Sequence, residues 1–126
     1  MKKNIWIILL LTSSCFKQVP DKIINYQDNT DFNEIQFKSV SENKGLIAST
    51  EKLYSKYCVS CHGYKASGGA GPNLTDKTWI NGKGSIIDIY KVIRYGIISK
   101  GMRSFEKTLT DKELMAMSIY INSLKE

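Results

Sequence analysis

The feature that most constrains this chain is the sequence CVSCH at residues 58–62, which holds two of its three cysteines and its only histidine. A helical pattern leads into this motif. A long stretch without regular periodicity follows it, from residue 63 to residue 84. Long loops inside small domains tend to be functional, so the motif and the loop call for a common explanation.

Three segments carry helical periodicity. The first covers about residues 46–58. The second begins after Ser85, a suitable cap, and stops at Gly96, a residue suited to the turn after a helix. The third opens with TDKE, a capping-box sequence that starts at Thr110, and continues to about Leu124. No convincing set of strands appears, so the sequence predicts an all-α domain.

The predicted domain, residues 45–126, has a thin core. Three short helices bury little apolar surface, and domains of this size usually need a disulfide, a metal or another bound group for stability. The composition is otherwise that of a soluble protein, with 42% hydrophobic and 24% charged residues, and it excludes wholesale disorder.

Two cysteines at this spacing support three kinds of chemistry. A thioredoxin-like thiol pair expects a strand–helix context, which the pattern lacks. A structural zinc site needs four ligands, whereas Cys58, Cys61 and His62 are the three at hand. In covalent haem attachment the two thiols of C-x-x-C-H form thioethers with the haem periphery, and the histidine binds the iron. The motif favours this third chemistry, because a haem would also complete the core.

From about Leu46 to Leu124 the chain resembles a class I cytochrome c. More closely, it resembles the C-terminal haem domain of the dihaem subunit of high-affinity haem–copper oxidases. The matching stretches, in order, are LYSKYCVSCHG, GPNLTDKTWINGKGSI, VIRYGIISKGMRSF and LTDKELMAMSIYINSL. The resemblance implies a small cytochrome c fold, with three main helices around one haem c, and an electron carrier without a substrate site of its own.

The resemblance also implies roles for single residues. Met102 stands at the position of the axial methionine, opposite His62. Pro72 matches a proline whose backbone carbonyl accepts the histidine ring N–H. Leu74 would pack against the haem face, and Trp79 aligns with an aromatic residue near the haem propionates.

Arg103 departs from the family pattern, which usually has proline directly after the axial methionine. Proline fixes φ and removes a donor, so its absence predicts a looser iron–sulfur bond. The two other methionines of the predicted domain, Met115 and Met117, fall within the third helix, where a flexible thioether serves core packing. Met102 is therefore the predicted axial ligand.

The N-terminal sequence MKKNIWIILLLTSSC has the layout of a secretory signal, with a positive start, a short apolar run and small polar residues. Its ending, LTSSC, resembles the lipobox of bacterial lipoproteins, in which the cysteine becomes the acylated first residue. We therefore predict a signal peptide at residues 1–14 and a lipid anchor at Cys15. An ordinary signal peptide with an incidental Cys15 is the alternative.

Residues 15–44 are polar and predict a tether between the anchor and the domain. Ile35 and Phe37 alternate with polar neighbours, so a short strand or a segment packed on the domain is the alternative.

The chain is basic, with a formal net charge of +6. It has no long Lys/Arg run and no basic stripe interleaved with aromatic residues, which argues against nucleic acid. Lys100, Arg103 and Lys107 flank Met102 and would steer an acidic redox partner. Ordinary solvated side chains are the alternative.

These observations predict a monomeric, membrane-tethered monohaem cytochrome c in the periplasm, at the outer face of the cytoplasmic membrane. It would pass single electrons between respiratory partners. The alternatives are a fixed haem subunit of a larger oxidase or reductase, and a ligand-binding haem sensor in which Met102 leaves the iron. A peroxidase is disfavoured, because the sequence holds no second histidine for acid–base work.

Overall fold

The structure is a computed structural model, and it describes residues 34–126. Helices dominate this part of the chain: α1 (Glu34–Glu42), α2 (Lys44–Tyr57), α3 (Val59–His62), α4 (Ile86–Tyr95) and α5 (Asp111–Ser123), with short 3₁₀ turns at Tyr64–Ala66 and Ile98–Lys100. The described residues contain no strand, only an isolated bridge between Ile97 and Met102. The predicted all-α class is confirmed.

The predicted signal peptide, Cys15 and the first part of the predicted tether lie outside the described residues. Across residues 34–126, none of the helices combines the length and the apolar character needed to cross a bilayer.

Helices α4 and α5 begin where their local sequences predict. The Ser85 hydroxyl accepts a hydrogen bond from the Asp88 N–H (3.1 Å), and the Asp88 carboxylate accepts one from the Ser85 N–H (3.2 Å). Thr110 and Glu113 form the same reciprocal box at the start of α5. Helix α4 ends at Gly96, whose φ of 73° lies in the region that favours glycine.

The structure differs from the predicted tether over its last residues, which form helix α1. Phe37 and Val40, three positions apart, lie on one face of this helix. Val40 is 5% exposed, and the Phe37 ring meets the Tyr90 ring edge-on at a centroid distance of 5.9 Å. The segment is therefore packed on the domain, and the alternative of a short strand there is wrong.

Helix α5 supplies five of the thirteen buried hydrophobic residues in the described part of the chain, more than any other helix. Leu114, Ala116 and Met117 are completely buried, and Met115 is nearly so, which confirms a packing role for the two methionines of this helix. Helix α2 packs against α5, with the Tyr54 and Tyr120 rings 5.7 Å apart.

Replacing Val40 with alanine tests whether α1 belongs to the folded domain. The change removes two buried methyl groups and should lower the free energy of unfolding by about 1–2.5 kcal/mol. Gln36→Ala, at an exposed position of the same helix, should change it by less than about 0.5 kcal/mol. Urea unfolding of the haem-loaded protein measures both. Equal stability of the two variants would show that α1 adds nothing to the fold.

Candidate haem site

The two cysteines and the histidine share one helical turn. Cys58 lies between α2 and α3, and its φ and ψ of −116° and −32° let the second helix start without an intervening loop. The Cys58 carbonyl accepts hydrogen bonds from the N–H groups of Cys61 (3.2 Å) and His62 (2.9 Å). Cys58 is partly buried, Cys61 is exposed, and both are free thiols.

The Cys58 thiol packs against the core. Burial raises the pKa of Cys58 to about 11, and the nearby Cys61 contributes in the same direction. Redox-active cysteines, by contrast, have a lowered thiol pKa.

The His62 ring has a fixed orientation. Its Nδ1 lies 3.0 Å from the backbone carbonyl oxygen of Pro72. Because a carbonyl only accepts, this contact requires the proton on Nδ1, and the lone pair of Nε2 is left for a metal. The structure thus places Pro72 where the resemblance implies.

The loop after the motif folds back onto it through backbone hydrogen bonds. The Gly71 N–H donates to the Cys61 carbonyl (2.7 Å), and the Gly68 N–H donates to the His62 carbonyl (2.8 Å). Tyr54 of helix α2 donates its hydroxyl proton to the Gly63 carbonyl at 3.1 Å. These bonds hold Pro72 beside the imidazole.

Gly71 leaves no room for a side chain. A Cβ at this position would lie 2.9 Å from Cε1 and 3.0 Å from Nδ1 of His62, closer than carbon atoms pack. The glycine therefore lets the backbone approach the ring face, which brings the next residue, Pro72, into hydrogen-bonding distance.

Met102 lies in the loop between α4 and α5. It exchanges two backbone hydrogen bonds with Ile97, at 2.8 and 3.1 Å, which close a tight turn. Gly101, with a φ of 84°, allows that turn. The Met102 side chain is partly buried and packs against the core.

Arg103, which replaces the family's proline, contacts two aromatic rings. Its guanidinium carbon lies 4.7 Å from the centroid of Phe105 and 5.9 Å from that of Tyr57, the residue before Cys58. The side chain therefore links the Met102 loop to the end of α2. The sequence gives no local signal for this contact, because Tyr57 is remote in the chain.

Leu74 and Trp79 are both partly buried and pack against the core. Trp79 has a neighbour that sequence analysis missed: the Lys125 ammonium lies 4.4 Å from the Trp79 ring centroid and donates to the Gly84 carbonyl. Lys125 thus packs over Trp79 and contacts Gly84, both of which lie in the loop of residues 63–84. The proximity of Trp79 to haem propionates stays a prediction.

The donor set fits a covalently attached haem. One helical turn carries two free thiols, and the adjacent imidazole has its tautomer fixed so that Nε2 is free. Among residues 34–126, no three His, Cys, Asp or Glu side chains come close enough together to bind a metal ion.

Solved structures share this fold. Cytochrome cL of Methylophaga aminisulfidivorans matches 67% of this chain and 56% of its own, with a TM-score of 0.57 and 24% identity. Cytochrome cL of Hyphomicrobium denitrificans matches 72% of this chain and 52% of its own, with a TM-score of 0.58 and 20% identity. Fold and donor set together define a small class I cytochrome c.

Sequence comparison identifies the family of the chain more closely. Residues 45–121 match the family described as cytochrome C oxidase, cbb3-type, subunit III, and the chain belongs to that family. It is 34% identical over 82 residues to the cbb3-type cytochrome c oxidase subunit FixP of Bradyrhizobium sp. (strain ORS 278), covering 61% of this chain and 27% of the relative. It is 34% identical over 110 residues to subunit CcoP of Azospirillum sp. (strain B510), covering 71% and 37%.

The chain therefore spans well under half the length of these curated relatives. Its membership confirms a haem-containing electron-transfer protein with covalently bound haem c.

Replacing Gly71 with alanine tests the close approach to His62. The added methyl group must displace the imidazole or the loop, which should lower the free energy of unfolding of the haem-loaded protein by about 1–3 kcal/mol. Gly45→Ala is the matched control, since its Cβ would meet only Asn43 Oδ1 at 3.6 Å. It should leave stability unchanged or slightly raised. Wild-type stability of Gly71→Ala, measured by urea unfolding, would contradict the packing described here.

Proposed function

We propose that this chain is a membrane-tethered monohaem electron carrier that works on the periplasmic side of the cytoplasmic membrane. The observation that carries the proposal is the C-x-x-C-H turn with the Nδ1 of His62 bonded to the Pro72 carbonyl. This arrangement presents one nitrogen lone pair at a fixed angle beside two thiols. It suits permanent attachment of a redox group better than transient thiol chemistry.

Each residue of the site has a distinct task. Cys58 and Cys61 would hold a haem through two thioether links, and His62 Nε2 and the Met102 sulfur would bind its iron. The bound haem supplies a centre that takes up and releases one electron. The Pro72 carbonyl holds the imidazole still, so that little reorganisation accompanies the change in charge.

Methionine as the sixth ligand favours electron transfer over ligand binding, because it occupies the iron and raises the reduction potential. The two backbone hydrogen bonds between Ile97 and Met102 support a loop that keeps the sulfur in place. A haem sensor would need this loop to open readily.

The docking surface lies around the Met102 loop. Lys100, Arg103 and Lys107 are exposed there, and their positive charges would steer an acidic redox partner into a short-lived complex. Such a surface suits a carrier that must bind and leave quickly.

A second candidate function is a fixed haem subunit of an oxidase. The observation that favours it is the pair of relatives, both of which are cbb3-type oxidase subunits. Gel filtration of detergent-solubilised membranes separates the two proposals: a fixed subunit elutes with an oxidase, and a carrier elutes as a small protein.

Met102→Ala tests the axial ligand. Oxidised wild type, produced with the cytochrome c maturation machinery, should show a low-spin spectrum with the weak methionine-to-iron charge-transfer band. The variant should lose that band entirely and have a lower reduction potential, because no sulfur remains on the iron. Met117→Leu, which conserves volume in the core, should keep both properties.

Retention of the band in Met102→Ala would exclude Met102 as ligand. A high-spin wild-type spectrum that shifts with carbon monoxide would favour the sensor instead.

Cys15→Ser tests the lipid anchor. Cells grown with an alkyne-tagged fatty acid should label wild-type protein, whereas the variant should carry no label, because serine offers no thiol for the lipoprotein pathway. Ser14→Ala, which leaves the cysteine in place, should label like wild type. Wild-type protein that is exported without label would refute the anchor and leave an ordinary signal peptide.

A further inference from the structure

We propose that Arg94 is a positioning residue that holds the ligand loop, residues 96–110, closed against helix α4 and thereby keeps Met102 on the iron. The inference rests on the proposed function in one respect, namely Met102 as the axial ligand. Neither the sequence motifs nor the relatives assign a role to Arg94.

The Arg94 side chain contacts both the second half of the ligand loop and the first residue of α5. Its Nε and Nη2 donate to one carboxylate oxygen of Glu106, at 3.1 and 2.9 Å. Its Nη1 donates to the Asp111 carboxylate, at the first residue of α5, at 3.0 Å. One guanidinium thus ties the loop and the start of α5 to α4.

The same Nη1 donates to the Tyr90 hydroxyl at 2.6 Å. Tyr90 is completely buried and lies one turn earlier on α4, so the guanidinium is anchored to the core. The hydrogen bond to Tyr90, followed by the contacts with the carboxylates, raises the pKa of Arg94 above its already high value. The charge is therefore permanent.

The backbone of Arg94 holds the same loop. Its carbonyl accepts hydrogen bonds from the Ser104 hydroxyl (2.6 Å) and the Glu106 N–H (3.1 Å). At Gly96 the chain passes so close to the loop that a Cβ would lie 2.5 Å from the Arg103 carbonyl carbon. The side-chain contacts of Arg94 therefore act on a loop that is already in register with α4.

Met102 lies in the part of the loop between the contacts of Ile97 and those of Ser104. The Ile97–Met102 bridge closes the first half of the loop, and the Ser104 and Glu106 contacts with Arg94 secure the second half. Opening of the whole loop, which would release the sulfur, would break the Glu106 contacts. Arg94 thus lowers the population of molecules in which the iron is open to another ligand.

Imidazole, which competes with methionine for ferric haem iron, measures that open population. Arg94→Gln removes the charge and the fork of donors, and should raise the apparent affinity for imidazole about three- to tenfold. Lys112→Gln removes one positive charge at an exposed position of α5, next to Asp111, and should leave the affinity at the wild-type value. Arg94→Lys should behave nearly like Arg94→Gln, since a lysine cannot reach both carboxylates in the same geometry.

Two further measurements separate a loop effect from a direct effect on the haem. In a Met102→Ala background, where no sulfur competes, Arg94→Gln should not change imidazole affinity. Hydrogen–deuterium exchange of the peptide covering residues 97–106 should be faster in Arg94→Gln than in wild type, independently of any added ligand.

If Arg94→Gln fails to fold, Glu106→Gln replaces it. Glu106 is 43% exposed and lies on the loop side of the same ion pair, so a smaller increase of the same sign is expected. Wild-type affinity and exchange in the Arg94 or Glu106 variant, with a clear effect of Met102→Ala, would overturn the role of Arg94 alone. If Met102→Ala itself leaves imidazole affinity unchanged, the axial ligand proposed above is wrong.

Discussion

The hydrogen bond between His62 Nδ1 and the Pro72 carbonyl is the contact on which the site depends. It determines which imidazole nitrogen carries the proton and in which direction the other points. The bond exists because Gly71 allows the backbone to pass against the ring and because the Gly71 N–H is itself bonded to Cys61. A helical turn of four residues and the irregular loop after it are therefore one structural unit. Neither would hold its shape without the other.

The rest of the fold holds the ligand loop, residues 96–110, which carries Met102. Helix α5 contributes more buried residues to the core than any other helix, and α4 packs against it and leads into the ligand loop. Phe105 and Leu109 bury the second half of that loop in the core. Three further contacts hold the loop: the Ile97–Met102 bridge, the Arg94 guanidinium and the Arg103 contacts with Phe105 and Tyr57. A domain with a small hydrophobic core thus uses hydrogen bonds and ion pairs to hold the Met102 loop. The haem would complete its interior.

The sequence predicts those parts of the structure that local interactions determine. The capping residues Ser85 and Thr110 mark the starts of α4 and α5, and the cysteine–histidine motif identifies the kind of cofactor. Helix α1 escapes prediction because its burial depends on Phe37 meeting Tyr90, far along the chain. The Arg94 contacts cannot be predicted from the sequence for the same reason. Neither Glu106 nor Asp111 stands out in its own segment, and only the folded chain brings Arg94 between the two carboxylates.

Proton NMR of the reduced, methionine-methyl-labelled protein shows whether Met102 would bind the haem iron together with His62. An iron-bound methionine lies over the porphyrin, whose ring current moves its methyl resonance far upfield of every other methyl group. Wild type should show one such resonance, which should be absent in Met102→Leu and present in Met115→Leu and Met117→Leu. A reduced protein whose methionine methyl groups all resonate in the ordinary range would contradict binding by Met102.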